Sequence, residues 1–172
     1  DMVREARKTE MDEVNKHGVY EKVPIDECYK ETGKPPIGTR WVDTNKGGRM
    51  EMLVRSRLVA RDFKGNGKDR DDLFAETPPL EAKRMLLRMY AVEPNRIGRR
   101  KQKLMFIDVK KAHVTPACEH DDIYVELPPE AKAPGKCGRL KRWLYGTRGA
   151  ARGWGDDFVS KLESVGFERN CR

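Results

Sequence analysis

Met50-Glu51-Met52-Leu53-Val54-Arg55-Ser56-Arg57-Leu58-Val59-Ala60-Arg61-Asp62-Phe63 interleaves basic with apolar or small side chains along its second half. In a strand alternate side chains share a face, so Arg55, Arg57 and Arg61 point one way while Val54, Ser56, Leu58 and Ala60 point the other. A shorter strand candidate, residues 39–45 around Trp41 and Val42, precedes this run, and Lys46-Gly47-Gly48 lies between them. Glycine adopts the positive φ of tight hairpin turns without penalty, so the two runs read as a β-hairpin with one arginine-bearing face. Forked guanidinium donors match phosphate oxygens and suit a triphosphate or a phosphate backbone; a solvated outer strand face has the same pattern.

Outward from the hairpin, residues 3–15 place Val3, Ala6, Met11 and Val14 on one side of a charged helix, with Gly18 positioned to stop it. A short strand over 20–23 follows, then a polar loop that reaches Pro35-Pro36, where two prolines forbid helix. Downstream, residues 80–92 read as a helix with Leu80, Met85, Leu86, Met89 and Tyr90 inward and Pro94 at its end. A basic connector of Arg96, Arg99, Arg100, Lys101 and Lys103 leads to Leu104-Met105-Phe106-Ile107. A short continuous apolar run of this kind is the pattern of a strand buried on both faces, and it ends on Asp108. Residues 123–127 alternate as another strand before Pro128-Pro129, and residues 139–145 read as a further extended segment. Trp154, Phe158, Leu162 and Val165 then recur at helical spacing, with Gly166 as the stop. The expected fold class is α+β, a mixed or antiparallel sheet with packed helices.

Composition narrows the chemistry. The 172 residues hold 36 basic and 28 acidic side chains, a net charge of +8 with a pI near 9.4. That balance favours a polyanionic partner, nucleic acid first, although a generally basic surface carries no specificity by itself. Cys28, Cys118, Cys137 and Cys171 lack the paired spacings of zinc or redox motifs and read as reduced thiols. No apolar run approaches the ~20 residues that span a bilayer, so the expected setting is intracellular, without a membrane and not secreted.

Asp108 is the candidate reactive group. A carboxylate at the end of a buried strand needs hydrogen bonds, a cationic partner such as Lys110 or Lys111, or a metal. Polymerases use such strand-end carboxylates to hold two Mg²⁺ ions. Asp121-Asp122 and Asp156-Asp157 read instead as surface charge, the first in a turn and the second on a helix. His17, His113 and His120 have no shared-metal spacing, and no nucleophile with a partnered histidine or P-loop pattern occurs.

Taken in order, these segments resemble the reverse transcriptase domain of copia-type retrotransposon polyproteins. Pro36-Ile37-Gly38-Thr39-Arg40-Trp41-Val42 resembles the family's entry into its fingers hairpin. Residues 55–63 are similar to its Lys-Ala-Arg-Leu-Val-Ala-Lys-Gly-Phe strand. Phe74-Ala75-Glu76-Thr77-Pro78 is similar to the segment before its fingers helix, and Asp108-Val109-Lys110-Lys111-Ala112-His113 to its Asp-Val-Lys-Thr-Ala-Phe metal motif. Ile123-Tyr124-Val125-Glu126-Leu127-Pro128 follows at the family's distance, and residues 144–154 resemble Leu-Tyr-Gly-Leu-Lys-Gln-Ala-Pro-Arg-Ala-Trp.

The resemblance implies the fingers and partial palm of a right-hand polymerase, with RNA or DNA template-primer and deoxynucleoside triphosphates as partners. It makes Asp108 a Mg²⁺ ligand joined by the Val109 carbonyl, and gives Arg57, with Arg55 and Arg61, the incoming triphosphate. His113 falls where the family has the Phe beneath the sugar, and Gly149 where it has a nucleotide-contacting Gln; Arg148 and Arg152 would meet nucleic acid. By this likeness about residues 1–100 are fingers and about 101–172 early palm. The Asp-Asp hairpin is expected beyond Arg172 with the rest of the Pol polyprotein, so the isolated chain is expected to be inactive. The departures at His113 and Gly149 keep open a degenerate, non-catalytic remnant that binds nucleic acid through its basic faces.

Overall fold

The computed structural model describes residues 1–48, 51–62, 79–92, 105–109, 116–118 and 122–168. The chain divides into two compact units, Asp1–Phe74 with Lys111–Arg172, and Ala75–Lys110. It is an α+β protein with small antiparallel sheets and four described α-helices.

In the larger unit, α1 (Met2–Lys16) buries Met11 and Val14 on the stripe that the sequence marks. β1 (Tyr20–Pro24) follows, and the chain enters α2 (Ile25–Thr32) where a polar loop is expected. Helix end signals outweigh the thin apolar content here. Pro24 precedes the first turn, Asp26 and Glu27 sit at its positive end, Lys30 lies in the last turn, and Gly33 ends it at φ 65°. The one buried side chain of α2, Cys28, packs in a cluster with Val23, Tyr124 and Cys137.

One sheet has the order β1-β5-β4, with β4 at Tyr124–Val125 and β5 at Lys136–Leu140. Tyr20 pairs with Leu140, Val23 with Cys137 and Tyr124 with Arg139. The strand expected over 139–145 therefore begins and ends earlier. Lys136 and Gly138 weaken its local strand signal, and pairing with both neighbours overrides that. The β1–β5 pairing joins parts of the chain on either side of residue 100.

The second sheet is the hairpin. β2 (Thr39–Asn45) matches its expected span, and β3 (Val54–Ala60) occupies the middle of the expected second run. They pair antiparallel from Thr39↔Ala60 to Asn45↔Val54. The connection is longer than a tight glycine turn. Asn45 Oδ1 accepts hydrogen bonds from the Gly47 and Leu53 backbone N–H groups at 3.0 and 3.1 Å, so a side chain closes the loop in place of a two-residue turn.

Both sheets share one core, in which Met11, Val14, Val19, Leu58, Ala60, Val125, Leu140, Trp143 and Leu144 are buried together. Full burial of a leucine such as Leu58 contributes about 1.5–3 kcal/mol. α4 (Ala150–Ser164) starts on this core through Ala150 and carries a Trp154–Phe158 ring contact at 4.9 Å.

In the smaller unit, α3 (Leu80–Val92) has its expected bounds, but none of its side chains is buried. Residues 105–109 form no strand, and Met105, Phe106 and Ile107 are 59%, 83% and 48% exposed. The expectations of an inward helix stripe and of a strand buried on both faces are both corrected. An apolar pattern specifies faces that need covering, and a unit running only from Ala75 to Lys110 falls short of the roughly 40 residues needed to enclose a core of its own.

Candidate functional site

The arginine face of the hairpin is real and partly enclosed. Along β3, Ser56, Leu58 and Ala60 are buried, Arg57 and Val59 half-buried and Arg55 exposed, which is the alternation read from the sequence. The Arg57 guanidinium carbon lies 5.6 Å from the centre of the Tyr145 ring. Its Nε is buried without a hydrogen-bond partner. Arg61 folds back over Gly38, so closely that a Cβ on residue 38 would stand 2.8 Å from Arg61 Nη2.

The cover over this face is the turn that leads into α4. Ala60 N–H donates to Tyr145 O at 2.7 Å, which continues the backbone bonding of β3 beyond the hairpin. Gly146 follows at φ 83°, and the Ala60 carbonyl fills the space that a Cβ would need there. Thr147 Oγ1 donates to Leu144 O at 2.8 Å, and the Arg148 backbone N–H and Nε both donate to Asp62 at 3.0 and 3.1 Å. Arg148 is thus committed to Asp62, while Arg152 is exposed and lies 3.6 Å from Asp156. Gly149 is buried, and the direction in which a side chain would project is filled by the Trp143 ring. Gly149 has nothing to extend toward a ligand.

Arg55, Arg57, Arg61, Arg148, Gly149 and Arg152 therefore all belong to the larger unit. Asp108 and Val109 belong to the smaller one, where Asp108 is exposed and Val109 half-buried. The expected delivery of Asp108 by a buried strand is replaced by an exposed carboxylate next to a backbone carbonyl. Oxygen donors suit a hard divalent cation, which takes six or more of them. No cluster of three acidic, histidine or cysteine ligands occurs among the described residues. His113, Lys110, Lys111 and Asp121 lie outside the described residues. Asp156 and Asp157 are the surface pair that the sequence suggests, Asp156 facing Arg152 one helical turn before it and Asp157 facing Lys161 one turn after it.

A second electrostatic knot secures the hairpin to α1. Asp43 accepts from Arg7 Nη2 and Nε at 2.6 and 3.2 Å and from Ser56 Oγ at 2.7 Å. Those hydrogen bonds hold the Asp43 carboxyl below, and the Arg7 guanidinium above, their usual ranges. Arg7 also lies 5.4 Å from the Trp41 ring, whose Nε1 donates to Glu130 at 3.0 Å. A cleft of about 1100 Å³ opens beside this knot, along α1 and past Met52, Val54 and Glu130, and none of the candidate site residues lines it.

Sequence reading missed the parts played by Tyr145, Trp143 and Asp62. Tyr145 was visible only as a letter in an ordered motif. Asp62 carried a sharper signal, since it stands where the similar strand motif has Gly, and Arg148 stands where the other has Lys.

A family model described as reverse transcriptase (RNA-dependent DNA polymerase) matches residues 26–172. Comparison with curated proteins and with solved structures returned no match.

Proposed function

Because the chain belongs to the reverse transcriptase (RNA-dependent DNA polymerase) family, we propose that it supplies fingers and early palm to a copia-type retrotransposon enzyme that makes DNA on an RNA or DNA template. A domain of this family acts on a nucleic-acid template and nucleotide substrates. The observation that carries the reading further is Arg57, a half-buried cation whose buried Nε has no acceptor among the described residues. A buried unsatisfied donor costs about 1–3 kcal/mol, which a phosphate oxygen would relieve with a charge-assisted bond.

In this reading Arg57 takes the incoming triphosphate, with Arg55 and Arg61 beside it on the same strand face. Asp108 and the Val109 carbonyl would hold Mg²⁺, which activates the primer hydroxyl and offsets charge on the departing pyrophosphate. The rest of the palm would complete the site, with RNase H as a further part of the Pol polyprotein. Three described cysteines, Cys28, Cys118 and Cys137, are buried and in no disulfide, in keeping with a reducing intracellular compartment, a cytoplasmic particle or the nucleus. No helix among the described residues is long and apolar enough to cross a membrane.

The test is primer extension with Mg²⁺ and deoxynucleotides by protein that contains this domain. Extension is expected from the wild type and none from Asp108→Asn. An Asp108→Asn protein that extends normally removes Asp108 from the reaction. Salt-sensitive template binding without extension by the wild type identifies the chain as a non-catalytic remnant.

A further inference from the structure

We propose that Tyr145 is a positioning residue for Arg57, holding the guanidinium plane so that its edge meets a phosphate group; the proposal rests on the triphosphate reading of Arg57. An arginine side chain has many rotamers to lose, so an anion site built from one gains from any contact that fixes it before the ligand arrives. Tyr145 supplies that contact through its ring, 5.6 Å from the guanidinium carbon. The backbone that carries the ring is held in place, because the Tyr145 carbonyl accepts from Ala60 N–H at 2.7 Å, three residues along β3 from Arg57. Gly146 lets the turn come this close, since any side chain there would strike the Ala60 carbonyl.

Stacking uses the face of the guanidinium and leaves its donors at the edge, the geometry in which phosphate oxygens accept. The acid nearest to Arg57 along the chain on its C-terminal side, Asp62, is engaged by Arg148, and Asp43 sits with Ser56 on the opposite face of the hairpin. The Arg57 Nε therefore stays buried and unanswered. The oriented cation is kept for an anion that the described residues do not supply.

The experiment measures binding of inorganic tripolyphosphate to the 172-residue chain by calorimetry, with the Arg57 Nε–H resonance followed by NMR. Tripolyphosphate should shift that resonance and slow its exchange with water. Tyr145→Phe should bind as the wild type does, and Tyr145→Leu about fivefold more weakly, the size expected of a partly buried cation–π contact. Fluorinated phenylalanines at position 145 keep the ring's shape while withdrawing its negative face, so affinity should fall with each added fluorine even if the leucine variant fails to fold. Affinity unchanged across the fluorinated series overturns the role of Tyr145 and leaves Arg57 standing. Unchanged affinity in Arg57→Gln overturns the triphosphate reading itself.

Discussion

The Asp62 carboxylate accepts two hydrogen bonds from Arg148, one from its backbone N–H at 3.0 Å and one from Nε at 3.1 Å. Asp62 lies just beyond β3 and Arg148 just before α4, so the pair pins the turn at residues 144–149 across the arginine face. The Asp62 side chain is only 15% exposed and that of Arg148 45%, so solvent screens the ion pair from one side.

Asp62→Ala should therefore cost about 1 kcal/mol, the low end for hydrogen bonds to a charged group once exposure is allowed for. Asp62→Asn should cost less, because its amide oxygen still accepts from the Arg148 backbone. Urea unfolding of Asp62→Ala, Arg148→Ala and the double variant measures the coupling. Strict additivity would mean that the two residues do not act as a pair.

Gly146→Ala tests the same docking through the backbone. At φ 83° an alanine is strained, and its Cβ would meet the Ala60 carbonyl, which cannot rotate away. The expected loss is about 3 kcal/mol. Gly48→Ala, in open space and without positive φ, should lie within about 0.5 kcal/mol of the wild type in the same assay. Equal unfolding midpoints for the two variants would show that the turn does not depend on close approach at residue 146.

What the sequence made legible follows from the range of the forces involved. The hairpin, the alternation of Arg57 against Leu58 and the bounds of α3 are set by local periodicity, and each is present in the structure. α2 was hidden because helix-end chemistry at Pro24, Asp26 and Gly33 defined it, with Cys28 as its one buried residue. Residues 105–107 show the converse limit, since a greasy run reports that burial is wanted and carries no information about what provides it. The site was legible as the residue types Arg57 and Arg61. The contacts that orient them come from Tyr145 and Gly38, one distant along the chain and one acting only by its lack of a side chain.

Asp43 should shape the acid limb of stability. Hydrogen bonds first from Arg7 and then from Ser56 lower its folded-state pKa below the ordinary 3.8. A lowered folded value means that the stabilisation is fully present above pH 3.8 and is lost as pH falls through the folded value. Both side chains are close to one-third exposed, so the contribution at neutral pH is expected to stay under about 1 kcal/mol. Denaturant unfolding from neutral pH downward should show Asp43→Asn less stable than the wild type at pH 7, with the difference closing as pH falls below 3.8. A constant difference across that range would show that the Asp43 charge is not the source.

Tyr124 should act at the opposite limb. Burial first, and then the hydrogen bond that its hydroxyl donates to Glu27 at 3.2 Å, push its pKa from 10.0 up to about 12. The neutral phenol is the form that the fold accommodates, because ionisation would place a charge in the core beside the Glu27 carboxylate. A raised folded value contributes stability that is whole below pH 10 and is lost as pH rises from 10 toward 12, since the unfolded chain releases the proton first. Absorbance titration of tyrosinate should show Tyr124 ionising late, and Glu27→Gln should bring its titration to lower pH by removing the neighbouring negative charge. Tyr124→Phe keeps the ring in its packing and removes the titrating hydroxyl, so its stability should fall less steeply above pH 10 than that of the wild type. Parallel alkaline limbs in the two proteins would place the pH sensitivity elsewhere, with Tyr20, whose pKa burial also raises, as the next group to substitute.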